Sequence, residues 1–136
     1  MAQRVREVMT TAPVMVSMGT PVSEVAVLMR DEGIDAVLVT EGGRLRGLVT
    51  DRDLTVRILA EGGNVSDRNV GEACGSELAC VAPDDGIDRA VHLMGARALR
   101  RLPVMENGRA VGIVTLGNLA AVACVADSAP GDLERR

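Results

Sequence analysis

The sequence repeats itself at an interval of 65 residues, and this repeat constrains the fold more than any other feature. The segment Gly47–Thr50 (GLVT) recurs as Gly112–Thr115 (GIVT). The same interval relates matching residues from Val5 to Leu119 without an insertion or a deletion. A fixed period predicts two copies of one structural unit. Units of roughly 50 to 55 residues bury too little surface to be stable alone, so we expect the copies to share one core.

Each copy has the hydrophobic pattern of a β-α-β-β-α unit, which predicts an α/β (α+β) fold. The predicted strands occupy residues 14–16, 36–40 and 45–49 in the first copy and 79–81, 101–105 and 110–114 in the second. The predicted helices occupy residues 21–32, 50–60, 87–97 and 116–126, with short leading helices near residues 5–9 and 70–74. The expected domain boundaries are 4–62 and 68–126, followed by a flexible polar tail at 127–136.

The helix signals are specific. Thr20 is predicted to be the N-cap of the first helix and Pro21 its first residue, while Gly33 ends it. The helical spacing predicts two buried stripes, formed by Val22, Val25, Ala26 and Met29 in the first copy and by Ile87, Ala90, Val91 and Met94 in the second. His92 lies off the second stripe and is expected at the surface.

The composition excludes several classes of function. The chain contains no Phe, Tyr or Trp and has a net charge of −4, so an aromatic or basic nucleic-acid interface is not expected. One histidine is too few for a catalytic triad or a multi-histidine metal site. No apolar segment approaches the roughly 18 to 20 residues of a membrane span. These features favour a protein that is not an enzyme and needs neither a metal nor a cofactor.

The three cysteines have no CxxC spacing, so we predict free thiols and a cytoplasmic location. Cys80 and Cys124 are expected to be small buried hydrophobes. Cys74 is expected near the end of a leading helix, where exposure would allow redox chemistry. An enzymatic function would require chemistry from Cys74 or from metal-bound carboxylates.

The order of elements, the segment Val5–Thr10 (VREVMT), Thr20-Pro21, the strand Leu102–Val104 (LPV) and the repeated Gly-aliphatic-Val-Thr resemble the CBS domain family. Two such copies resemble a Bateman module, and Thr50–Leu54 (TDRDL) is similar to small stand-alone bacterial members. The resemblance implies small mixed sheets packed with helices, two units related by pseudo-twofold symmetry, a homodimer, and an adenosine-containing ligand in clefts between the units.

The residues themselves support such a ligand. Thr50 lies where a strand ends and a helix begins, so we expect free backbone N–H groups that favour an anion. Asp53 is placed to accept hydrogen bonds from two ribose hydroxyls. Arg52, Arg100 and Arg101 are candidates for phosphate contact. Thr50-x-x-Asp53 also has the spacing of a capping box, which would satisfy the same N–H groups without a ligand.

The resemblance implies two clefts. One would be formed by Leu48, Thr50, Asp53, Ala79, Leu99 and Arg101. The other would be formed by Ile113, Thr115, Asn118, Val14, Ile34, Ala36 and Arg100. Asn118 stands where an acidic residue is expected, Asp35 and Ala36 stand where the second copy has Arg100 and Arg101, and Leu38 stands where it has Pro103. These departures disfavour a highly phosphorylated ligand.

Two functions follow from these observations. The leading hypothesis is a non-catalytic regulatory or sensor module that reversibly binds AMP, ADP, ATP, S-adenosylmethionine or an NAD-like ligand. The alternative is a structural or interaction dimer with vestigial clefts that docks a protein partner. In both cases the Ala-rich closing helix, residues 119–126, is expected to form a homodimer contact because it is apolar almost all round.

Overall fold

The computed structural model describes residues 3–75 and 78–127, with only the backbone described for residues 122–127. In the first repeat the elements are β2 (Met15–Ser17), α1 (Val22–Glu32), β3 (Ala36–Glu41), β4 (Arg44–Thr50) and α2 (Asp51–Arg57). In the second they are α3 (Ile87–Arg97), β5 (Arg101–Glu106), β6 (Arg109–Thr115) and α4 (Leu116–Asp127). A short strand, β1 (Thr10–Thr11), precedes β2, and four 3₁₀ turns occupy Val5–Glu7, Leu59–Glu61, Val65–Asp67 and Val70–Ala73.

The strands form two three-stranded sheets, so the predicted mixed α+β fold is confirmed. One sheet has the order β2-β3-β4, in which β2 is parallel and β4 antiparallel to β3. The other has the order β1-β6-β5 and is antiparallel. In the first sheet Gly42 and Gly43, both at positive φ, form the hairpin turn, which any residue with a Cβ would strain.

The chain divides into two compact units, and the leading segments are exchanged between the repeats. The first unit is Ala12–Leu78, and the second unit is Met1–Thr11 with Ala79–Arg136. The Val5 N–H donates to Asp85 O at 2.9 Å, and at equivalent positions the Val70 N–H donates to Thr20 O at 2.8 Å. Each leading turn therefore packs with the other repeat.

Each unit has a separate group of buried side chains. The unit Ala12–Leu78 contains a cluster that includes Val25, Val37 and Val70. The other unit contains a cluster that includes Val5, Leu102 and Leu119. The expectation that the two copies share one core stays a prediction. Exchange of the leading turns gives each cluster an extra valine, which helps so small a unit to bury enough apolar surface.

The predicted strand at residues 79–81 does not form. An isolated parallel bridge joins Val81 to Val104 instead. In the first repeat the Leu38 N–H donates to Val14 O at 2.9 Å. Pro103 stands at the position equivalent to Leu38 and has no N–H, so this bond of the ladder is missing from the second repeat.

The start of α1 also differs from the prediction. Pro21, not Thr20, is the N-cap, and no side chain caps the helix. The Thr20 carbonyl instead accepts from the leading turn of the second repeat, while its N–H donates to Ser17 O at 3.1 Å. Gly33 ends the helix in a left-handed conformation, as predicted. The remaining predicted helices are observed, although α2 ends at Arg57 and a 3₁₀ turn follows it.

The predicted stripes are confirmed except at one position in each helix. Val22, Val25 and Met29 are buried in α1, and Ile87, Ala90 and Met94 are buried in α3. The equivalent residues Ala26 and Val91 are exposed, because the buried face of each helix is narrower than the sequence spacing suggested. His92 is exposed, as predicted. Of the tail predicted for residues 127–136, Asp127 is the last residue of α4 and the remaining residues lie outside the described part of the chain.

Candidate functional site

Thr50 and Asp53 form a reciprocal capping box at the junction between β4 and α2. The Asp53 N–H donates to Thr50 Oγ1 at 3.1 Å, and the Thr50 N–H donates to Asp53 Oδ2 at 2.8 Å. Both residues are half-buried. The box holds the Asp53 carboxylate in a fixed orientation at the end of the sheet. A carboxylate has about four acceptor positions, so capacity remains for further donors.

The prediction that free N–H groups at this junction favour an anion is wrong. The Asp51 N–H donates to Asp35 O at 3.0 Å, and the Arg52 N–H donates to Asp51 Oδ1 at 2.7 Å. With the Asp53 N–H bound to Thr50, the first three helical residues all have internal acceptors. The neighbouring carboxylates add negative charge. The side chains of Thr50 and Asp51 and the carbonyl of Asp35, in the loop before β3, therefore already satisfy the N–H groups that would have contacted an anion.

The second repeat has a related junction without the negative charge. The Asn118 N–H donates to Thr115 Oγ1 at 3.0 Å, and the Thr115 hydroxyl donates to Asn118 Oδ1 at 2.7 Å. Asn118 is exposed. A neutral amide forms weaker hydrogen bonds to hydroxyl groups than a carboxylate does. The two junctions are thus geometrically similar and electrostatically different.

The other predicted residues of the first repeat lie near its junction. Ala36 pairs with Thr50 in the β3–β4 ladder, and Leu48 pairs with Leu38. Val14 reaches the same ladder through its bond to Leu38, and Ile34 lies two residues before Ala36. Ala36 is buried, and Val14, Ile34 and Leu48 are half-buried. The structure therefore brings apolar side chains to the end of the sheet that carries Asp53. Arg52 is exposed on α2.

The second unit brings its own predicted residues together in the same way. Arg101 pairs with Thr115 and Pro103 pairs with Ile113. The Leu116 N–H donates to Arg100 O at 2.7 Å, which fixes the backbone of Arg100 beside the start of α4. Ala79 and Arg101 are half-buried, and Leu99 and Arg100 are exposed. Each predicted cleft combines residues of both units, and that combination stays a prediction.

Two residues near Asp53 were not assigned to the site from the sequence. Arg57 Nε lies 3.6 Å from Asp53 Oδ1, a contact that the i, i+4 spacing on α2 signals. Cys74, from the leading segment of the second repeat, is close enough to Asp53 for the negative charge of the carboxylate to raise the pKa of its thiol. Exchange of the leading segments places this thiol in the first unit, and nothing in the local sequence indicates it.

The Cys74 thiol does not have the properties of a reactive group. Burial, and secondarily the charge of Asp53, raises the pKa of the Cys74 thiol above its ordinary value of 9.0. A neutral thiol is a poor nucleophile, which disfavours the enzymatic interpretation. Cys80 is exposed, so the expectation that it is buried is wrong, because the strand predicted to contain it does not form. The side chain of Cys124 lies outside the described part of the chain.

Within the described ranges, no helix has the length and apolar character needed to cross a membrane. Among the same residues, no three or more His, Cys, Asp or Glu side chains are grouped in a way that could hold a metal ion.

The fold and the junctions define a class of protein: a tandem pair of small mixed α+β units, each with a capped junction between a strand and a helix. The model of the CBS domain family matches residues 5–60 and 70–123. The chain therefore belongs to the CBS domain family, and a tandem CBS pair is a regulatory module.

Relatives and solved structures agree with this assignment. CBS domain-containing protein YhcV of Bacillus subtilis is 37% identical over 116 residues, which are 85% of this chain and 82% of the relative. A crystal structure of Hypoxic Response Protein I with two coordinated zinc ions is 28% identical, with a TM-score of 0.77, and the match covers 88% of this chain and 98% of that one. The CBS domain pair of protein MJ0100, solved in complex with 5′-methylthioadenosine and S-adenosylmethionine, shares the fold at 17% identity and a TM-score of 0.81, over 93% of this chain and 100% of that one.

Proposed function

We propose that the chain is a non-catalytic regulatory module that reversibly binds an adenosine-containing ligand, with Asp53 as the ribose contact. The observation that carries this proposal is the geometry of the capping box. The Thr50 N–H fixes one oxygen of the Asp53 carboxylate, and the side chain remains 28% exposed. An oriented and accessible carboxylate is suited to accept hydrogen bonds from two vicinal hydroxyl groups.

Apolar side chains near the junction support contact with a nucleobase. Val14, Ile34 and Leu48 are half-buried at the same end of the sheet as Asp53. The chain has no aromatic residue, so adenine would lie against aliphatic side chains and bond to backbone groups. Affinity would then depend more on the ribose contacts than on stacking.

The charge near Asp53 favours ligands with little or no phosphate. Asp51 and Asp53 are both within the first turn of α2, whose N–H groups have internal acceptors. A triphosphate would meet negative charge here without the backbone donors that usually offset it. Arg52, Arg100 and Arg101 remain the candidates for a single phosphate. The solved complex of the MJ0100 pair, whose two ligands carry no phosphate, supports this class of ligand by analogy of fold.

A thermal-shift series tests the ligand class. We expect adenosine, 5′-methylthioadenosine, S-adenosylmethionine or AMP to raise the Tm, and ATP to raise it less at the same concentration. A ligand at 100 times its Kd adds about 2.7 kcal/mol to the free energy of unfolding. If none of these compounds raises the Tm at millimolar concentration, the proposal is wrong. If ATP raises it most, the charge argument is wrong.

A second candidate function is a structural or interaction homodimer whose sites bind no ligand. The observation that favours it is that the junctions satisfy their own hydrogen bonds, with a neutral Asn118 in the second repeat. We place the dimer contact on α4, where Ala120 and Ala121 are exposed. Light scattering of the wild type and of Ala121→Arg tests this contact: a dimer that the variant converts to a monomer supports it, and a monomeric wild type excludes it.

A further inference from the structure

A groove lies on the surface of the unit Ala12–Leu78. It lies between strand β2 and helix α1 and has a volume of about 380 Å³. We call it the β2–α1 groove, and its lining residues are Met15, Val16, Thr20, Glu24, Val27, Leu28 and Asp31. All of them belong to the unit Ala12–Leu78, so the groove is complete within one unit.

The groove exposes apolar side chains that the fold does not need at the surface. Met15 on β2 is 51% exposed and Val27 on α1 is 44% exposed. Val16 and Leu28 are half-buried beneath them. Contiguous exposed apolar surface with a polar rim is typical of interaction sites.

Strand β2, which lines the groove, has one unpaired edge. β2 is the edge strand of its sheet. Val14 O accepts from Leu38 N–H, and Met18 N–H donates to Thr40 O, so Val14, Val16 and Met18 direct their backbone groups at β3. The intervening residues Met15 and Ser17 direct theirs away from β3. The Ser17 carbonyl already accepts from the Thr20 N–H at 3.1 Å, so the part of this edge that can pair with an additional strand is the backbone of Met15 and the Ser17 N–H.

The rim of the groove is acidic. Glu24 and Asp31 lie on α1 two turns apart, on the same side as Val27 and Leu28. Asp31 Oδ1 accepts from Arg30 Nε at 3.0 Å, whereas Glu24 makes no ion pair with any described residue. Glu24 therefore adds a negative charge that no described residue pairs with, beside the apolar lining of the groove. A ligand that matches it carries positive charge and apolar groups together.

The second repeat has different chemistry at the equivalent positions. Cys80 replaces Met15, Arg89 replaces Glu24, His92 replaces Val27 and Ala96 replaces Asp31. The second repeat also lacks the edge strand, because only the isolated bridge at Val81 forms. The acidic and apolar groove is thus a property of the first repeat alone among the described residues, and the second repeat supplies a control within the same molecule.

We propose that the β2–α1 groove binds an extended segment of a partner protein that alternates apolar and basic side chains, and that this segment adds to β2 as a further strand. The backbone of Met15 and the Ser17 N–H pair with the segment, its apolar side chains contact Met15 and Val27, and its basic side chains meet Glu24 and Asp31. β2 spans three residues, so the ladder is short, about 10 Å, and binding is weak and reversible. The proposal does not depend on the adenosine site.

Synthetic peptides test the proposal with the full-length chain. The probe is the fluorescein-labelled peptide RVRVRVT, compared with EVEVEVT and with RVRVRVT N-methylated at alternate residues. By fluorescence polarisation we expect RVRVRVT to bind, and both comparison peptides to bind at least about tenfold more weakly, a loss of about 1.4 kcal/mol. Equal binding of the acidic or the N-methylated peptide, or no binding of RVRVRVT at about millimolar concentration, would overturn the proposal.

Matched variants locate the binding surface. Glu24→Arg and Val27→Glu change exposed side chains and are expected to weaken the binding of RVRVRVT at least fivefold. Arg89→Glu changes the equivalent position of the second repeat and is expected to leave binding unchanged. Equal losses in Glu24→Arg and Arg89→Glu would contradict the assignment. If Glu24→Arg instead dissociates a homodimer measured by light scattering, the groove holds a second copy of the chain and the proposal is wrong.

Discussion

Two glycines mark the positions where β4 and β6 pass the leading segments. A Cβ built on Gly112 would lie 2.7 Å from Thr10 O and 2.8 Å from Met9 Sδ. A Cβ on Gly47, the equivalent residue, would lie 3.4 Å from Cys74 Sγ. The first contact is with backbone that is fixed in the β1–β6 ladder, where Thr11 pairs with Gly112. The contact at Gly47 is with the Cys74 side chain alone, at close to an ordinary van der Waals distance. A side chain is therefore tolerated less well at Gly112 than at Gly47.

Gly112→Ala is expected to lower the free energy of unfolding by about 2 to 3 kcal/mol, because the added methyl group must displace the β1 backbone. Gly47→Ala is the matched control and is expected to cost less than about 1 kcal/mol, since only the Cys74 side chain must move. Urea denaturation measures both. Equal losses in the two variants would show that the leading segments do not pack against β4 and β6 as described.

Local spacing predicted part of the candidate site at this scale. The Thr50–Asp53 capping box was visible because both partners lie three residues apart and the pattern has one local geometry. The bond from the Asp51 N–H to Asp35 O was not visible, because Asp35 lies in the loop before β3. The proximity of Cys74 to Asp53 was also hidden, because it depends on the exchange of segments between repeats.

At the scale of elements, the 3₁₀ turn Val70–Ala73 is held by an ion-pair network. Arg68 Nε lies 2.6 Å from Glu72 Oε1, and Arg68 Nη2 lies 2.9 Å from Glu61 Oε1. Glu72 Oε2 also accepts from the Asn69 N–H at 2.8 Å. The Asn69 N–H, followed by Arg68, lowers the pKa of Glu72 below its ordinary value of 4.5. The network joins the end of the first repeat to the leading turn of the second.

The stability that Glu72 contributes is expected to depend on pH. Because its pKa is lower in the folded state, the contribution is complete above about pH 4.5 and is lost as the pH falls through the lowered pKa. Glu72→Gln should therefore be less stable than the wild type at pH 6, and the difference should shrink near pH 3. Chemical denaturation at both values measures it.

Glu7→Gln at the equivalent position of the first repeat is the control, since Glu7 makes no ion pair with the described residues. Glu7→Gln should lose less stability at pH 6 than Glu72→Gln does. A Glu72→Gln difference that is the same at both pH values would contradict the ion-pair network.

Most elements were predictable from hydrophobic periodicity, and the exceptions have local causes. Helix α3 has the predicted bounds, and Gly33 ends α1 as predicted. The prediction of a strand at residues 79–81 was wrong because Pro103, in β5, has no backbone N–H, whereas the equivalent Leu38 donates its N–H to the ladder of the first repeat. The prediction of Thr20 as the N-cap was wrong, because the Thr20 carbonyl accepts from the Val70 N–H in the leading turn of the second repeat. Both errors come from contacts that are distant in the sequence.

At the scale of the whole molecule, the exchange of leading turns makes each unit depend on both repeats. Val5 and Val70 are fully buried, each in the cluster of the other repeat. The period of 65 residues predicted two similar units but not this exchange. A repeat pattern reports similarity between segments and carries no information on which copy a short leading segment joins.

Val5→Ala is expected to lower the free energy of unfolding by about 2 kcal/mol, as large-to-small changes in a core do. Hydrogen exchange should then accelerate in residues 87–119, in the second repeat, more than in residues 22–58. Val70→Ala should give the opposite distribution, because local opening follows the unit that loses the contact. Acceleration confined to the repeat that carries the substitution would contradict the exchange.

Calorimetric titration of two matched variants tests whether Asp53 binds the adenosine-containing ligand that we propose for this tandem CBS pair. Titration of adenosine and of S-adenosylmethionine into the wild type should give measurable heats. Asp53→Ala should weaken binding at least tenfold, since a charged hydrogen-bond acceptor contributes about 1.5 to 3 kcal/mol. Asn118→Ala, at the equivalent neutral position, should weaken it less. Binding that is unchanged in Asp53→Ala would contradict the account.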